Sequence, residues 1–358
     1  MTLKKEKFQK LTIASVFDRH RVPIFHASCG GGRTSPLLKT LMSNKCINDC
    51  KFCPFRGERN VKRYCWGPKE LAKIAIQLLK WRKIKGVFLS SSVENDPDTT
   101  FEKELEAVRE MRKLGFNEYI HIKVMPGTSR DLIKEAVEIA DRVGINVEFP
   151  GRDYYDEMKL FLDFSQDVLK RIKWLSKEVE RAQKNGMCKA GMDSQIIVGA
   201  ADDKDSEIIK ISGYIYQKLK ARRVYYSRFE PVKDTPLEKR RPENPLREYR
   251  LYQASFLLRD YGFYPKDFIF YDGMLNINED PKLTIAKENE FLVDINTCKK
   301  EELIKIPGIG LKTAEKIIQQ RPFKNIKDLK KTGIILKRAI PFIEISNLRQ
   351  STLNNWLN

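Results

Sequence analysis

The stretch Cys46-Ile47-Asn48-Asp49-Cys50-Lys51-Phe52-Cys53 sets three cysteines at spacings of four and three residues in a polar loop, and such a loop has to close around a metal. Thiolates hold iron-sulfur clusters, and close spacing lets one loop wrap a face of the cluster while its backbone donates to the sulfides. Three ligands are one too few to close a four-iron cube. One iron then stays open to a small molecule, as a catalytic zinc keeps an open position. Two closed readings use the same residues. Cys65, twelve residues beyond Cys53, completes either a four-thiolate zinc site or a closed cluster, and Cys29 lies seventeen residues before Cys46. Zinc knuckles come as paired Cys-x-x-Cys units, and only one such pair exists here. Cysteines acting merely as small apolar side chains do not suit so polar a loop.

At 358 residues the chain has room for one large and one small domain. Lys and Arg total 67 against 48 Asp and Glu, a formal +19. This excess favours a polyanionic partner, nucleic acid first, although a lysine-rich solvated surface gives the same count. Seven cysteines do not pair evenly. Three close ones suit a metal in a reducing compartment, so a cytoplasmic protein is expected. No apolar run reaches the roughly eighteen residues of a membrane span, and the first thirty residues lack a signal-peptide pattern.

From residue 37 to about 232, short apolar strands alternate with longer amphipathic helices. The expected strands are Leu38–Ser43, Val87–Ser91, Tyr119–Val124, Ile145–Phe149, Gln195–Val198 and Val224–Phe229, with helices such as Pro68–Lys83 and Thr100–Leu114 between them. The expected fold class is α/β, a partial (βα)6 TIM-like barrel with parallel strands and right-handed crossovers. Its site belongs at the carboxyl ends of the strands, where the cysteine loop follows the first. Ser90, Ser91 and Ser92 at the second strand end offer backbone groups and hydroxyls to an ammonium, or cap the next helix. His121 and Lys123 share one face of their strand. If that face is interior, Lys123 needs a partner, and Glu148 is the expected one; if exterior, both are ordinary surface residues. Before this core, Phe25 to Arg33 contain a glycine run that reads as a flexible loop or a phosphate cradle. Cys29 within it is a hydrogen-atom donor, an extra ligand or an uninvolved thiol.

Residues 233–290 form a proline-rich connection and then a helix from Leu246 to Tyr261. Its stripe of Tyr249, Tyr252, Phe256 and Leu257 is expected to be core rather than a base-stacking platform. Residues 291–345 read as an all-α C-terminal domain, followed by a tail over 346–358. Glu301–Ile306, the turn Pro307-Gly308-Ile309-Gly310 and Leu311–Gln320 resemble a helix-hairpin-helix. Gly308 and Gly310 free the turn so that N–H groups at the helix start meet a phosphate, and Lys312 adds charge. A degenerate second copy spans Ile326–Phe342.

The cysteine spacing, with Phe52 before the third cysteine, resembles the radical S-adenosylmethionine (SAM) superfamily. That resemblance implies a [4Fe-4S] cluster on Cys46, Cys50 and Cys53. The amino and carboxylate groups of SAM would chelate its open iron, and reductive cleavage would give a 5'-deoxyadenosyl radical. It implies that Ser90, Ser91 and Ser92 stand where the family's Gly-Gly-Glu motif binds the methionine amino group, with Glu94 displaced by two residues. Glu148 is assigned to cofactor and catalysis, Lys123 and Cys29 to catalysis, and Ile197 and Gly199 to packing against the adenine. The order of motifs from Phe88-Leu89-Ser90-Ser91 to the terminal hairpin looks like the radical SAM proteins associated with DNA modification or repair. These often accompany a uracil-DNA glycosylase, and ferredoxin or flavodoxin would supply electrons. The alternatives are a tRNA-modifying radical SAM enzyme, an iron-sulfur redox sensor that binds DNA without turnover, and a zinc-stapled binding module.

Overall fold

Seven strands lie side by side in chain order. The computed structural model describes residues 2–14, 24–30, 32–160 and 162–345. After α1 (Thr2–Ala14), β1 (Ile24–Gly30) and β2 (Arg33–Leu41) pair antiparallel, Phe25 opposite Leu37 and Ser28 opposite Thr34. Gly30 and Gly32 therefore lie at the turn end of a β-hairpin, with Gly32 at φ +73°. The strand β2, and not a helix, follows. Cys29 belongs to β1, but its side chain lies outside the described residues.

From β2 onward every pairing is parallel, through β3 (Gly86–Ser90), β4 (Tyr119–Lys123), β5 (Arg142–Gly144), β6 (Gly191–Val198) and β7 (Arg223–Arg228). β1 and β7 do not meet, so the sheet is an open, curled half-barrel of seven strands, one more than expected. Its crossovers are α2 (Pro68–Lys80), α3 (Pro97–Lys113), α4 (Arg130–Ile139), α5 (Arg152–Glu157) with α6 (Arg171–Lys184), and α7 (Asp205–Gln217). Local chemistry starts these helices where they start. Pro97 opens α3 and the Asp96 side chain accepts from Thr99 N at 2.9 Å. One face of the sheet, with Val87, Leu89, Ile120, Ile122, Val143, Ile196 and Val224, is buried and apolar. The alternating face carries Phe88, His121, Lys123, Arg142, Asp193 and Tyr225. The expected strand Ile145–Phe149 is displaced: β5 ends at Gly144, and the following residues stay bonded to β6 irregularly, Ile145 N donating to Asp193 O at 3.2 Å and Val147 N to Gln195 O at 3.1 Å, with an isolated bridge from Glu148 to Ile196. Glu148 at φ +56° breaks the ladder there.

The contacts divide the chain into two units, residues 1–203 with 214–244, and residues 204–213 with 245 onward. The second unit contains α8 (Pro245–Asp260), α9 (Pro281–Glu288), β8 (Val293–Asp294), α10 (Lys300–Leu303), α11 (Leu311–Gln320), α12 (Ile326–Leu329), α13 (Leu336–Ala339) and β9 (Ile343–Glu344). Its core gathers Ile295, Leu303, Ile306, Ile309, Ile317, Leu329 and Phe342. On α8 the expected core stripe splits. Leu257 is buried, whereas Tyr249 and Phe256 are 56% and 47% exposed with Arg250 and Arg259 over their rings. Among the described residues no helix is long and apolar enough to cross a membrane.

Glu104 on α3 is fully buried, and neither carboxylate oxygen has a hydrogen-bond partner among the described residues. Burial pushes its carboxyl well above the usual range. The native state thus holds this proton more tightly than the unfolded chain does. Stability is full below the ordinary carboxylate range and falls as pH rises toward the native value, by at most about 1.4 kcal/mol per unit. Glu104→Gln is expected to flatten that slope, so thermal midpoints measured from pH 5 to pH 8 vary less in the variant than in the parent protein.

Candidate functional site

The cysteine loop leaves the carboxyl end of β2 and is tied at once to the end of β3. Met42 N donates to Ser90 O at 2.6 Å, Ser92 N to Ser43 O at 3.0 Å and Ile47 N to Val93 O at 2.9 Å. From the far side, the Arg63 guanidinium donates to the carbonyls of Asn44 and Phe55 at 2.7 Å, Arg56 at 2.6 Å and Arg59 at 2.8 Å. Those carbonyls flank the three cysteines, so one side chain closes the loop in place of a regular element. Gly57 lets the chain fold back on itself, since a Cβ there would stand 3.0 Å from Cys46 O.

Cys46, Cys50 and Cys53 are all free and half-buried. Burial pushes the Cys50 thiol far above its ordinary value, and charge on Cys53 and Cys46 adds to this. Cys53 is pushed up to about 12 by burial, partly offset by Phe55 N–H, which lies 3.4 Å from its Sγ. Such thiols are inert nucleophiles, and a bound cation is what would ionise them. Among the described residues no three Cys, His, Asp or Glu side chains are placed to hold one metal ion. A cube binds each thiolate to a different iron, which spreads its ligands wider than the shell of a single ion, and the donor set fits such a cluster. Cys65 instead lines a cleft of about 190 Å³ with Ser43, Trp66, Glu94 and Lys103. Phe52 packs edge-on against Phe149 at 5.5 Å, and Phe149 against Tyr155 at 6.3 Å.

At the other strand ends, Ser90, Ser91 and Ser92 sit beside the loop through the backbone bonds above, and Ser91 Oγ donates to Ser92 O at 2.8 Å. Glu94 accepts from Ser43 Oγ at 2.6 Å and pairs with Lys103. Glu148 accepts from Asn146 Nδ2 at 3.0 Å. Burial raises its carboxyl, while Asn146 and Lys123 act against the rise. Its charge is felt at both Cys50 and Cys53, so it stands next to the cysteine loop. Ile197 N donates to Glu148 O at 2.8 Å, and Gly199, at φ +84°, is pinned by Arg240 Nε donating to its carbonyl at 2.9 Å.

Lys123, Gly144 and Asp193 stand in register on β4, β5 and β6. With no side chain on the middle strand, the Lys123 ammonium reaches across and pairs with Asp193. A Cβ on Gly144 would lie 2.7 Å from Lys123 Nζ and overlap the carboxylate. His121 Nε2 lies 2.7 Å from the other carboxylate oxygen. Lys123 therefore pairs with Asp193 and not, as expected, with Glu148. Burial works against the Asp193 charge, yet His121 and Lys123 hold it well below the usual range. Burial drives His121 down to about 4, against the pull of Asp193, so the imidazole is neutral at pH 7. Asp193 lies two residues before the expected start of its strand; extending the alternation back from Gln195 would have found it.

In the second unit, Gly308 and Gly333 both have φ +83°, and Ile335 N donates to Gly308 O at 3.0 Å. The two hairpin copies thus pair through their backbones. A Cβ on Gly308 would stand 2.6 Å from Ile335 O. Gly310 caps α11 with no side-chain bond, and Lys312 is exposed in its first turn.

Residues 40–192 match the family model "Radical SAM superfamily", and residues 288–339 match "Helix-hairpin-helix motif". The Holliday junction branch migration complex subunit RuvA of Histophilus somni (strain 2336) is 38% identical over 77 residues, 20% of this chain. The chain spans 37% of that relative's length. Among solved structures, methylornithine synthase (PylB) is 15% identical with TM-score 0.49, covering 89% of this chain and 85% of its own. The FeFe-hydrogenase maturase HydG from Carboxydothermus hydrogenoformans is 17% identical with TM-score 0.48, covering 62% and 51%.

Two substitutions test this geometry. Gly144→Ala is expected to separate Lys123 from Asp193 and to cost about 3–5 kcal/mol, read as a lowered thermal midpoint. Arg63→Ala keeps all three cysteines but is expected to lose most of its iron on anaerobic reconstitution, measured as iron and sulfide per chain.

Proposed function

We propose that this chain, whose residues 40–192 are a radical SAM domain, modifies or repairs nucleic acid, DNA foremost. The observation that carries the reading is that one chain holds a three-thiol cluster loop and a paired helix-hairpin-helix. The domain's cofactors are a [4Fe-4S] cluster and SAM, which together supply a 5'-deoxyadenosyl radical able to remove hydrogen from an unactivated carbon.

The chain's own residues prepare the site for that chemistry. Cys46, Cys50 and Cys53 would hold three irons and leave the fourth to the cosubstrate. The backbone at Ser90, Ser91 and Ser92 and the Glu148 carboxylate would orient the methionine end, with Ile197 and Gly199 against the adenine and Phe52 packing beneath the loop. Lys123, fixed by Asp193, would be a stationary cation facing the substrate. Cys29 would be a hydrogen-atom donor. Gly308, Gly310 and Lys312 would grip phosphate without reading bases. The core would run over 37–232 and the nucleic-acid domain over 291–345. A cytoplasmic setting, with ferredoxin or flavodoxin as reductant and a uracil-DNA glycosylase as companion, suits free thiols and the hairpin.

Anaerobic turnover with SAM and a strong reductant tests the reading. Deoxyadenosine is expected to form and to increase with DNA present; a full cluster giving none points to a redox sensor, and stimulation by RNA alone to a tRNA enzyme. Lys312→Gln is expected to weaken DNA binding for all sequences and to lower the slope of log affinity against log salt by about one.

A further inference from the structure

At the amino ends of the same strands, the inner face of the half-barrel carries a second group of charges that the reading above leaves unused. Tyr119 begins β4, Arg142 begins β5 and Arg223 begins β7, with Tyr225 two residues further on. Strand alternation puts Tyr119 on the face of His121 and Lys123, Arg142 on that of Gly144, and Arg223 on that of Tyr225. The intervening Val143 and Val224 are buried on the opposite, helix-covered face. Across the ladder His121 stands opposite Arg142, and Asp193 opposite Arg223.

Neither guanidinium forms an ion pair with a described residue, although the Asp193 charge is felt at Arg142. Arg142 Nη1 donates to the Tyr225 hydroxyl at 3.3 Å and Nε to Ala190 O at 3.2 Å, but among the described residues it forms no ion pair. The Arg223 side chain forms neither a hydrogen bond nor an ion pair with a described residue, although its charge is felt at Tyr225. Burial pushes the phenols of Tyr119 and Tyr225 above their ordinary range, so neither supplies negative charge. Asp193, the carboxylate on this part of the face, is already held by Lys123 and His121. Half-buried arginines flanked by protonated phenols on a concave surface are short of an anion with several acceptor oxygens.

We infer that this end of the half-barrel binds an oxyanion of the phosphate class, held by Arg142 and Arg223 with the hydroxyls of Tyr119 and Tyr225. Four residues of β4 separate Tyr119 from Lys123, about 13 Å at the usual strand rise. A substrate anchored here by a phosphate would extend along the face toward the strand ends that carry the cysteine loop. The inference goes beyond the nucleic-acid reading and stands without it, because a free phosphorylated metabolite offers the same group as a nucleic-acid backbone.

Calorimetric titration of the reconstituted full-length protein with inorganic phosphate, in chloride buffer, tests it. Saturable binding is expected, weakened about tenfold in Arg142→Gln and in Arg223→Gln. Arg223→Gln removes no hydrogen bond or ion pair with a described residue and so decides the matter if Arg142→Gln, which loses its bond to Ala190 O, fails to fold. Displacement of phosphate by a single-stranded oligonucleotide assigns the site to a nucleic-acid phosphate. Displacement by a nucleoside 5'-monophosphate alone assigns it to a free phosphorylated substrate. Absence of saturable binding, or binding retained in both arginine variants, overturns the inference.

Discussion

Three thiols within eight residues, each partly withdrawn from water, cannot all be ionised without a positive charge between them. Desolvation and mutual repulsion lift the Cys50 and Cys53 thiols far above their ordinary range, which disfavours them as nucleophiles and leaves a bound cation to ionise them. What holds the loop for such a cation is the protein around it. Arg63 binds carbonyls on both sides of the loop, and three backbone bonds lash its start to the end of β3. The backbone around the three cysteines is therefore ordered by the protein's own hydrogen bonds, so part of the ordering entropy is met by folding.

The half-barrel around this loop separates its two faces by chemistry. Helices cover an apolar outer face, while the inner face concentrates histidine, lysine, arginine, tyrosine and aspartate. Buried charge is costly, and the sheet meets the cost through register: a glycine on the short β5 lets Lys123 and Asp193 join over it. The result is a polar wall in which Asp193 is held toward its ionised form and His121 toward its neutral one. Such a wall suits radical chemistry, where a stray proton donor or mobile side chain would compete for the reactive carbon. At the opposite strand ends, Arg142 and Arg223, which form no ion pair with a described residue, add positive charge to the same wall.

Much of this was legible because it is local. Cysteine spacing, strand and helix periods and the Gly308–Gly310 turn are short-range patterns, and they led to the cluster loop, the half-barrel and the hairpin. What escaped was set at long range. Asp193 lies 70 residues from Lys123 in the chain, and no local pattern couples them. Arg63 recognises carbonyls, which every residue has, so its role leaves no signature. Ile145, Val147 and Phe149 continue an apolar alternation beyond the end of β5 at Gly144, and that pattern carries no sign of the left-handed backbone at Glu148. The Tyr249 and Phe256 spacing correctly gave a helical face but not whether anything covers it. β1 was hidden because its partner is antiparallel in an otherwise parallel alternation.

A cluster held, as proposed, by Cys46, Cys50 and Cys53 alone would leave one iron free for the cosubstrate. Electron paramagnetic resonance of the reduced, reconstituted protein with and without SAM tests this. The expected spectrum is a [4Fe-4S] signal whose g-values shift when SAM is added, because its amino and carboxylate groups would coordinate the cluster. A spectrum indifferent to SAM, from a cluster with a fourth protein ligand, would contradict it.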